Sequence, residues 1–195
     1  MTDSEGDVSD ARRVVLLDFF PSGRSEGGPR GYERQPLGYG LGRDSFGLFE
    51  IVFEEDADVG IGDSVVVAPE AEREDIVDSW EIDHDDLSGG AESELEYVIR
   101  EIVESEEDRF VDFFNDAQPI TLRLHQLNLL PGIGEKLRNS IIDERKRKPF
   151  ESFEELEGRV NGLHDAQDIL VERIMEEIRE EDLKYRLFAR REDAE

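Results

Sequence analysis

The stretch Leu129-Leu130-Pro131-Gly132-Ile133-Gly134-Glu135-Lys136-Leu137-Arg138 has residue types suited to holding an anion. Glycine tolerates left-handed backbone without a Cβ penalty, so the chain can reverse within about three residues while Ile133 points into a core. Ile133, Leu137 and Ile141 then recur at helical spacing, which predicts a helix directly after the turn. The first N–H groups of such a helix lack intrahelical acceptors and sit at the positive end of its dipole, a phosphate-sized site built from backbone alone. Lys136 and Arg138 follow closely, where cations oppose the dipole by a few tenths of a kcal/mol unless a ligand compensates. Gly132, Ile133 and Gly134 therefore read as amide donors to one phosphate, with Lys136 and Arg138 supplying charge. Arg145-Lys146-Arg147-Lys148 ends the same helix, either as a C-terminal cap or, through Arg145 and Lys146, as further phosphate contacts.

Other chemistries have weaker support. Gly132-Glu135-Lys136 lacks the G-x-x-x-x-G-K-[ST] spacing of a P-loop, and Gly38, Gly40 and Gly42 lack the spacing of a dinucleotide fingerprint, so no cofactor is expected. With no cysteine and only His84, His125 and His164, a thiolate or histidine metal centre is not expected. Carboxylates such as Asp18, Asp112 and Asp116 leave open a metal-dependent nuclease or a glycosylase that docks through the turn. Among 51 acids, any one pair carries little weight.

The chain carries a formal net charge of -28, with 51 Asp plus Glu against 23 Lys plus Arg, and only 4 of the cations are lysine. Apolar faces at regular spacing argue against disorder for most of its length. A nucleic-acid mimic and adaptation to a salt-rich cytoplasm both remain; the scarcity of Lys and Cys and the spread of the acids favour the second, with a halophilic archaeal source. The charge is uneven. Residues 54–108 hold 22 acids and two arginines, whereas residues 119–150 hold seven cations and three acids. With about three phosphate contacts, raising salt from 0.1 to 3 M would weaken binding roughly 10⁴-fold by counterion release. A clamp of directional backbone donors suits such brine better than lysines alone.

These groups need elements to position them. Residues 1–11 read as a disordered tail. Val14–Phe20, Ser45–Phe53, Ile61–Ala68 and Ile76–Ile82 are short apolar runs rich in β-branched and aromatic residues, with no helix between them. They predict a small β-barrel over residues 12–84, of oligonucleotide-binding or related type. The Gly-, Pro- and Arg-rich stretch 21–44 reads as a long mobile loop. Its Arg24, Arg30, Arg34 and Arg43, with Tyr32 and Tyr39 for base stacking, form either a single-strand path or merely a polar loop. Residues 91–118 read as a helical connector packing both lobes, capped by Ser93 with Glu96 and stopping at Gln118-Pro119. Leucines at 122, 124, 127, 129 and 130 predict a helix over residues 120–130. Ser152 with Glu155 opens another helix, and Asn161-Gly162-Leu163-His164-Asp165 makes a second turn before a long helix bearing Leu170, Ile174 and Ile178. Residues 119–190 thus form two helical hairpins, the second serving packing, with His164 a turn residue.

Leu130-Pro131-Gly132-Ile133-Gly134, followed by Ile141-Ile142, Arg145, Lys148-Pro149-Phe150 and Phe153-Glu154-Glu155-Leu156, resembles the helix-hairpin-helix module of DNA-binding and DNA-repair proteins. That resemblance implies that the amides of Gly132, Ile133 and Gly134, with Lys136 nearby, hold a phosphate without reading bases. Glu135 beside the turn departs from the usual pattern and weakens binding at low salt. From about Val14 to Arg190 the chain also resembles an archaeal family of uncharacterised proteins, through LDFFPSGR, Asp112-Phe113-Phe114-Asn115, Ala117-Gln118-Pro119-Ile120-Thr121 and Arg123-Leu124-His125. The family implies a barrel of oligonucleotide-binding type joined to paired hairpins, and nucleic-acid binding.

The sequence therefore predicts an α+β protein: an OB-like N-terminal β-barrel followed by an all-α tandem hairpin lobe, cytoplasmic, with DNA or RNA as partner and no membrane span. The candidate binding residues are Gly132, Ile133, Gly134, Lys136, Arg138, Arg145, Lys146, Arg24, Arg30, Arg34 and Tyr39. A protein-interaction scaffold is the further alternative to binding or catalysis.

Overall fold

A computed structural model describes residues 11–24 and 34–191. The expected N-terminal tail, Arg30 and Tyr32 lie outside the described residues. The fold is α+β, in two compact units, the first ending at Glu94 and the second beginning at Leu95.

The first unit is a five-stranded antiparallel sheet of β1 (Arg12–Phe20), β2 (Leu37–Gly42), β3 (Leu48–Phe53), β4 (Ser64–Ala68) and β5 (Ile76–Ile82). Its order is β4-β1-β2-β3-β5, and among the described residues no pairing of β4 with β5 closes it, so the sheet is a half barrel. β2 corrects the sequence reading, which placed a mobile loop over residues 21–44. Its six residues LGYGLG alternate, as a strand must, with Leu37, Tyr39 and Leu41 on one face and three glycines on the other. The glycine face lies against a core of Val14, Leu16, Phe49, Ile51, Phe53 and Val67. A Cβ at Gly38 would come within 2.8 Å of the Phe53 ring, so these glycines admit packing rather than motion.

On the opposite face the register aligns Tyr39, Glu50 and Trp80 across β2, β3 and β5. Glu50 is buried, and it accepts hydrogen bonds from Trp80 Nε1 (3.1 Å) and the Tyr39 hydroxyl (3.3 Å). Burial pushes its carboxyl above the ordinary range, only partly offset by these two donors. Arg24 donates to the Tyr39 hydroxyl at 2.7 Å.

The second unit is helical. α1 (Gly89–Ser105) begins in the first unit and is followed by α2 (Glu107–Asp116), α3 (Glu135–Arg147), α4 (Phe153–Arg159) and α5 (Ala166–Arg179). α1 starts four residues before the expected Ser93 cap. Ser88 caps it instead, accepting from Ala91 N–H at 3.1 Å while donating to Asp18 at 2.7 Å. Ser93 lies inside the helix and bonds back to the Gly89 carbonyl at 2.9 Å.

The helix expected over residues 120–130 is also absent. The Thr121 hydroxyl accepts from the N–H groups of Arg123 (3.2 Å) and Leu124 (3.0 Å), and the Leu124 carbonyl accepts from Ile120 (2.8 Å) and Thr121 (3.0 Å). Side-chain capture thus makes a tight turn where leucine spacing suggested a helix. Only a short 3₁₀ segment, Gln126–Leu129, follows.

Candidate nucleic-acid interface

Two glycine turns punctuate the helical unit, and they share one geometry. In the first, Ile133 N–H donates to the Leu130 carbonyl at 3.2 Å and Gly132 takes φ +76°. In the second, Leu163 N–H donates to the Val160 carbonyl at 3.2 Å and Gly162 takes φ +91°. Positive φ at Gly132 and Gly162 favours glycine on backbone grounds. Ile133 and Leu163 are both buried, each anchoring its turn.

The turns differ in what remains open. Ala166 N–H, at the start of α5, is taken by the Glu157 carboxylate at 2.7 Å. In both turns the glycine and the residue after the buried apolar anchor, Gly132 and Gly134 in the first and Gly162 and His164 in the second, have N–H groups with no acceptor among the described residues. The difference lies at the first helical residue, where Glu135 N–H is open, and in α3 Arg138 N–H is the first to reach back, to the Gly134 carbonyl at 3.0 Å. Gly134 is the N-cap, with φ -86° and ψ -170°, and it offers no capping side chain. That backbone suits any residue, and a Cβ there would meet nothing within 4 Å. No packing partner accounts for glycine at 134, and its bare N–H remains accessible.

The structure divides the expected binding residues. Ile133 N–H is spent on the turn, so of the three expected donors Gly132 and Gly134 remain, with the first amides of α3. Lys136 is exposed and, among the described residues, unpaired. Arg138 is folded back onto the hairpin: it donates to Asn128 Oδ1 at 3.1 Å and to Asn139, and Asn128 Nδ2 donates to the Ile133 carbonyl at 3.2 Å. Arg138 thus braces the turn.

Arg145 is likewise drawn inward. It donates to the Phe114 (3.0 Å) and Ala117 (2.9 Å) carbonyls and closes the C-terminus of α2, and burial lowers its pKa. Its guanidinium, matched to two orphan carbonyls, is a cap and not the expected phosphate ligand. Lys146 is exposed. The C-terminus of α3 is closed by Arg159, which donates to the Glu144 (2.5 Å) and Lys148 (2.8 Å) carbonyls. Lys146 is therefore not needed as the cap there.

In the first unit Tyr39 is 1% exposed, edge-on to Phe20 at 6.2 Å, and cannot stack on a base. Alternation along β2 turns it inward, an orientation that a loop over residues 21–44 would not impose. Arg24 is committed to Tyr39, while Arg34 is exposed. The carboxylates named for metal chemistry are not gathered: Asp18 orients Ser88, and among the described residues no three His, Cys, Asp or Glu side chains cluster as metal ligands.

A groove of about 1170 Å³ runs beside the first turn, walled by Pro131, Gly132 and Gly134 and by Glu172, Glu176 and Arg179 of α5. Five carboxylates and three arginines line it, and two of those arginines are already paired, Arg100 with Asp168 and Arg173 with Glu176. Its field is negative. A phosphate meets repulsion there at low ionic strength, and much less at 1 M salt, where screening acts within about 3 Å.

His125 positions the approach to this turn. Its Nδ1 accepts from Leu127 N–H at 3.1 Å, and its backbone N–H donates to Asn128 Oδ1 at 3.3 Å. Burial, then Arg145 and Arg138, hold its pKa below the ordinary 6.5. The unfolded chain therefore takes up the proton first. The stability this residue contributes is complete above about pH 6.5 and is lost as pH falls through that value toward the folded-state pKa. We expect acid sensitivity between pH 7.5 and 5.5 in urea melts to be smaller in His125→Asn, and identical slopes for the two proteins would rule the histidine out as its source.

The chain is thus an α+β protein in which a five-stranded antiparallel half barrel is followed by five helices with paired glycine turns. It belongs to the family described as Protein of unknown function (DUF655), whose model matches residues 10–190. It is 37% identical over 178 residues to the uncharacterized protein MJ0038 of Methanocaldococcus jannaschii, covering 90% of this chain and 78% of that one. The crystal structure of Af1531 from Archaeoglobus fulgidus superposes with a TM-score of 0.80 at 37% identity, covering 92% of this chain and 99% of the other. Among the described residues no helix is long and apolar enough to cross a membrane.

Proposed function

We propose that this protein binds DNA or RNA by its backbone, without reading sequence, through the turn at residues 132–134 and the first turn of α3. The observation that carries this reading is the contrast between two equivalent turns. One has the first amide of its helix plugged by Glu157, and the other leaves the matching Glu135 amide open, together with those of Gly132 and Gly134 and beside exposed Lys136. A helix start with open amides suits a phosphate. We read the module as helix-hairpin-helix in kind and the half barrel as oligonucleotide-binding-like in strand architecture. The acid excess we read as a halophilic, cytoplasmic adaptation.

The test is binding of labelled single- and double-stranded DNA and RNA in about 2 M KCl, with wild type against Gly134→Val. The variant is expected to fold normally, since its φ, ψ and Cβ position are unobstructed. Its branched side chain would occupy the space a phosphate needs, and affinity should fall at least about tenfold, the loss of one charge-assisted hydrogen bond. Equal affinity for the two proteins would remove the clamp and leave a protein-interaction scaffold.

A further inference from the structure

Leu122 is 107% exposed, the most exposed large apolar side chain among the described residues. Single exposed apolar residues are ordinary on protein surfaces, and Ile61 (57%) and Tyr97 (61%) are of that kind. Leu122 differs because the chain holds it out. It crowns the turn that Thr121 closes, and the base of that turn is fastened by Gln126 N–H to the Gln118 carbonyl (2.9 Å) and Gln118 N–H to Gln126 Oε1 (2.7 Å). With both ends fixed, the leucine cannot fold down against the unit.

Charge identifies what would meet it. From Ala117 to Gly134 there is no Asp or Glu in 18 residues, although 51 acids in 195 residues would place about five there by proportion. This gap contains the Leu122 tip, exposed Arg123 and the open glycine turn. The tip and the turn are also joined, because His125 at the foot of the first donates to Asn128, which in turn holds the Ile133 carbonyl. Ten residues separate Leu122 from Gly132, at most about 35 Å of chain, so an anionic polymer held at the turn needs to extend no further than that to meet the leucine. A protein interface needs about 800 Å² from each side, whereas the tip offers one leucine between half-buried Ile120 and Leu124. One apolar side chain beside a cation instead matches a wedge entering between stacked bases.

We propose that Leu122 is such a wedge, inserting into a base step of the nucleic acid held by the turn and partly unstacking it. This rests on the phosphate-clamp reading and adds that the partner contains stacked bases. The experiment uses duplex DNA and duplex RNA carrying 2-aminopurine, titrated with wild type, Leu122→Ser and Gly134→Val in about 2 M KCl. Binding of wild type should raise the fluorescence of at least one duplex. Leu122→Ser should bind about tenfold more weakly and lose most of that rise. Leu122 is solvent-exposed, so the variant should retain its fold, checked by circular dichroism. If wild type binds but the fluorescence does not change, or Leu122→Ser matches wild type in both readouts, the wedge is wrong, the clamp stands and the tip is left for a protein surface. If wild type binds no nucleic acid, the clamp and the wedge fall together.

Discussion

Glu177→Ala should destabilise the helical unit by about 3–5 kcal/mol, the range for removing one partner of a buried, hydrogen-bonded charge pair. The Glu177 side chain is fully buried on α5. Its Oε1 accepts from Leu187 N–H (2.7 Å) and Arg173 Nε (2.9 Å), and its Oε2 accepts from Phe188 (2.9 Å) and Ala189 (2.8 Å). One carboxylate thereby pins the final segment of the described chain. Arg173 adds a bond to the Tyr185 carbonyl at 2.6 Å, and Arg186 caps α5 by donating to the Glu177 carbonyl, with further bonds to the Glu180 (2.6 Å) and Glu181 (3.0 Å) carbonyls just past the helix. Phe188, seated against Phe110 (5.8 Å) and Phe113 (5.1 Å), is what the strap delivers. Alanine would orphan three amides and leave the buried Arg173 guanidinium without its main counter-charge, and each deficit costs on its own. Urea denaturation measures the loss, and amide exchange at 187–189 should accelerate before the helices open. A shift below about 1 kcal/mol would mean that the strap contributes little.

In the sequence Glu177 was one acid among 51, yet a signal was present. Leu170, Ile174 and Ile178 mark the buried stripe of α5, and residue 177 falls on that stripe, with Arg173 four residues before it. An acid on an apolar face with a cation at i−4 points to a buried pair. Its true partners, the amides of residues 187–189, are not local and leave no mark in spacing. The same limit explains what was and was not readable at the glycine turn. Gly132 needs positive φ and sits between apolar residues, so the turn and α3 were legible from residue type and period. Arg138 reads as a source of charge for a phosphate, and Arg145 as either a cap of its own helix or a phosphate contact, because their acceptors, Asn128 and the end of α2, are brought to them only by folding. The expected helix over residues 120–130 failed for a different reason. Leucine count outweighed Thr121, whose hydroxyl could satisfy two amides locally and so made the turn that presents Leu122.

Gly40→Val should be the most damaging substitution in the half barrel, by an amount near the top of the roughly 1–3 kcal/mol range for overpacking, even though valine favours strands by about 1 kcal/mol over glycine. β2 is the central strand, so neither side can move aside. A Cβ at position 40 would overlap the Val14 side chain, which is completely buried, and would lie 3.1 Å from the Val15 carbonyl oxygen. Rotating Val14 relieves only the first contact; the second is with backbone, and relief there would strain the β1–β2 pairing. Gly42→Ala provides the control in the same strand, because its nearest obstacle is the Ser45 hydroxyl at 3.2 Å, the end of a small movable side chain. Urea melts should show a large loss for Gly40→Val and little for Gly42→Ala. Equal losses would mean that strand entropy, not close approach to β1, explains glycine at 40. The steric account also explains why composition misled here: glycine was taken for mobility, whereas at 38 and 40 the missing side chains let β2 lie against Phe53 and Val14. That packing sets the register that turns Tyr39 away from solvent and onto Glu50.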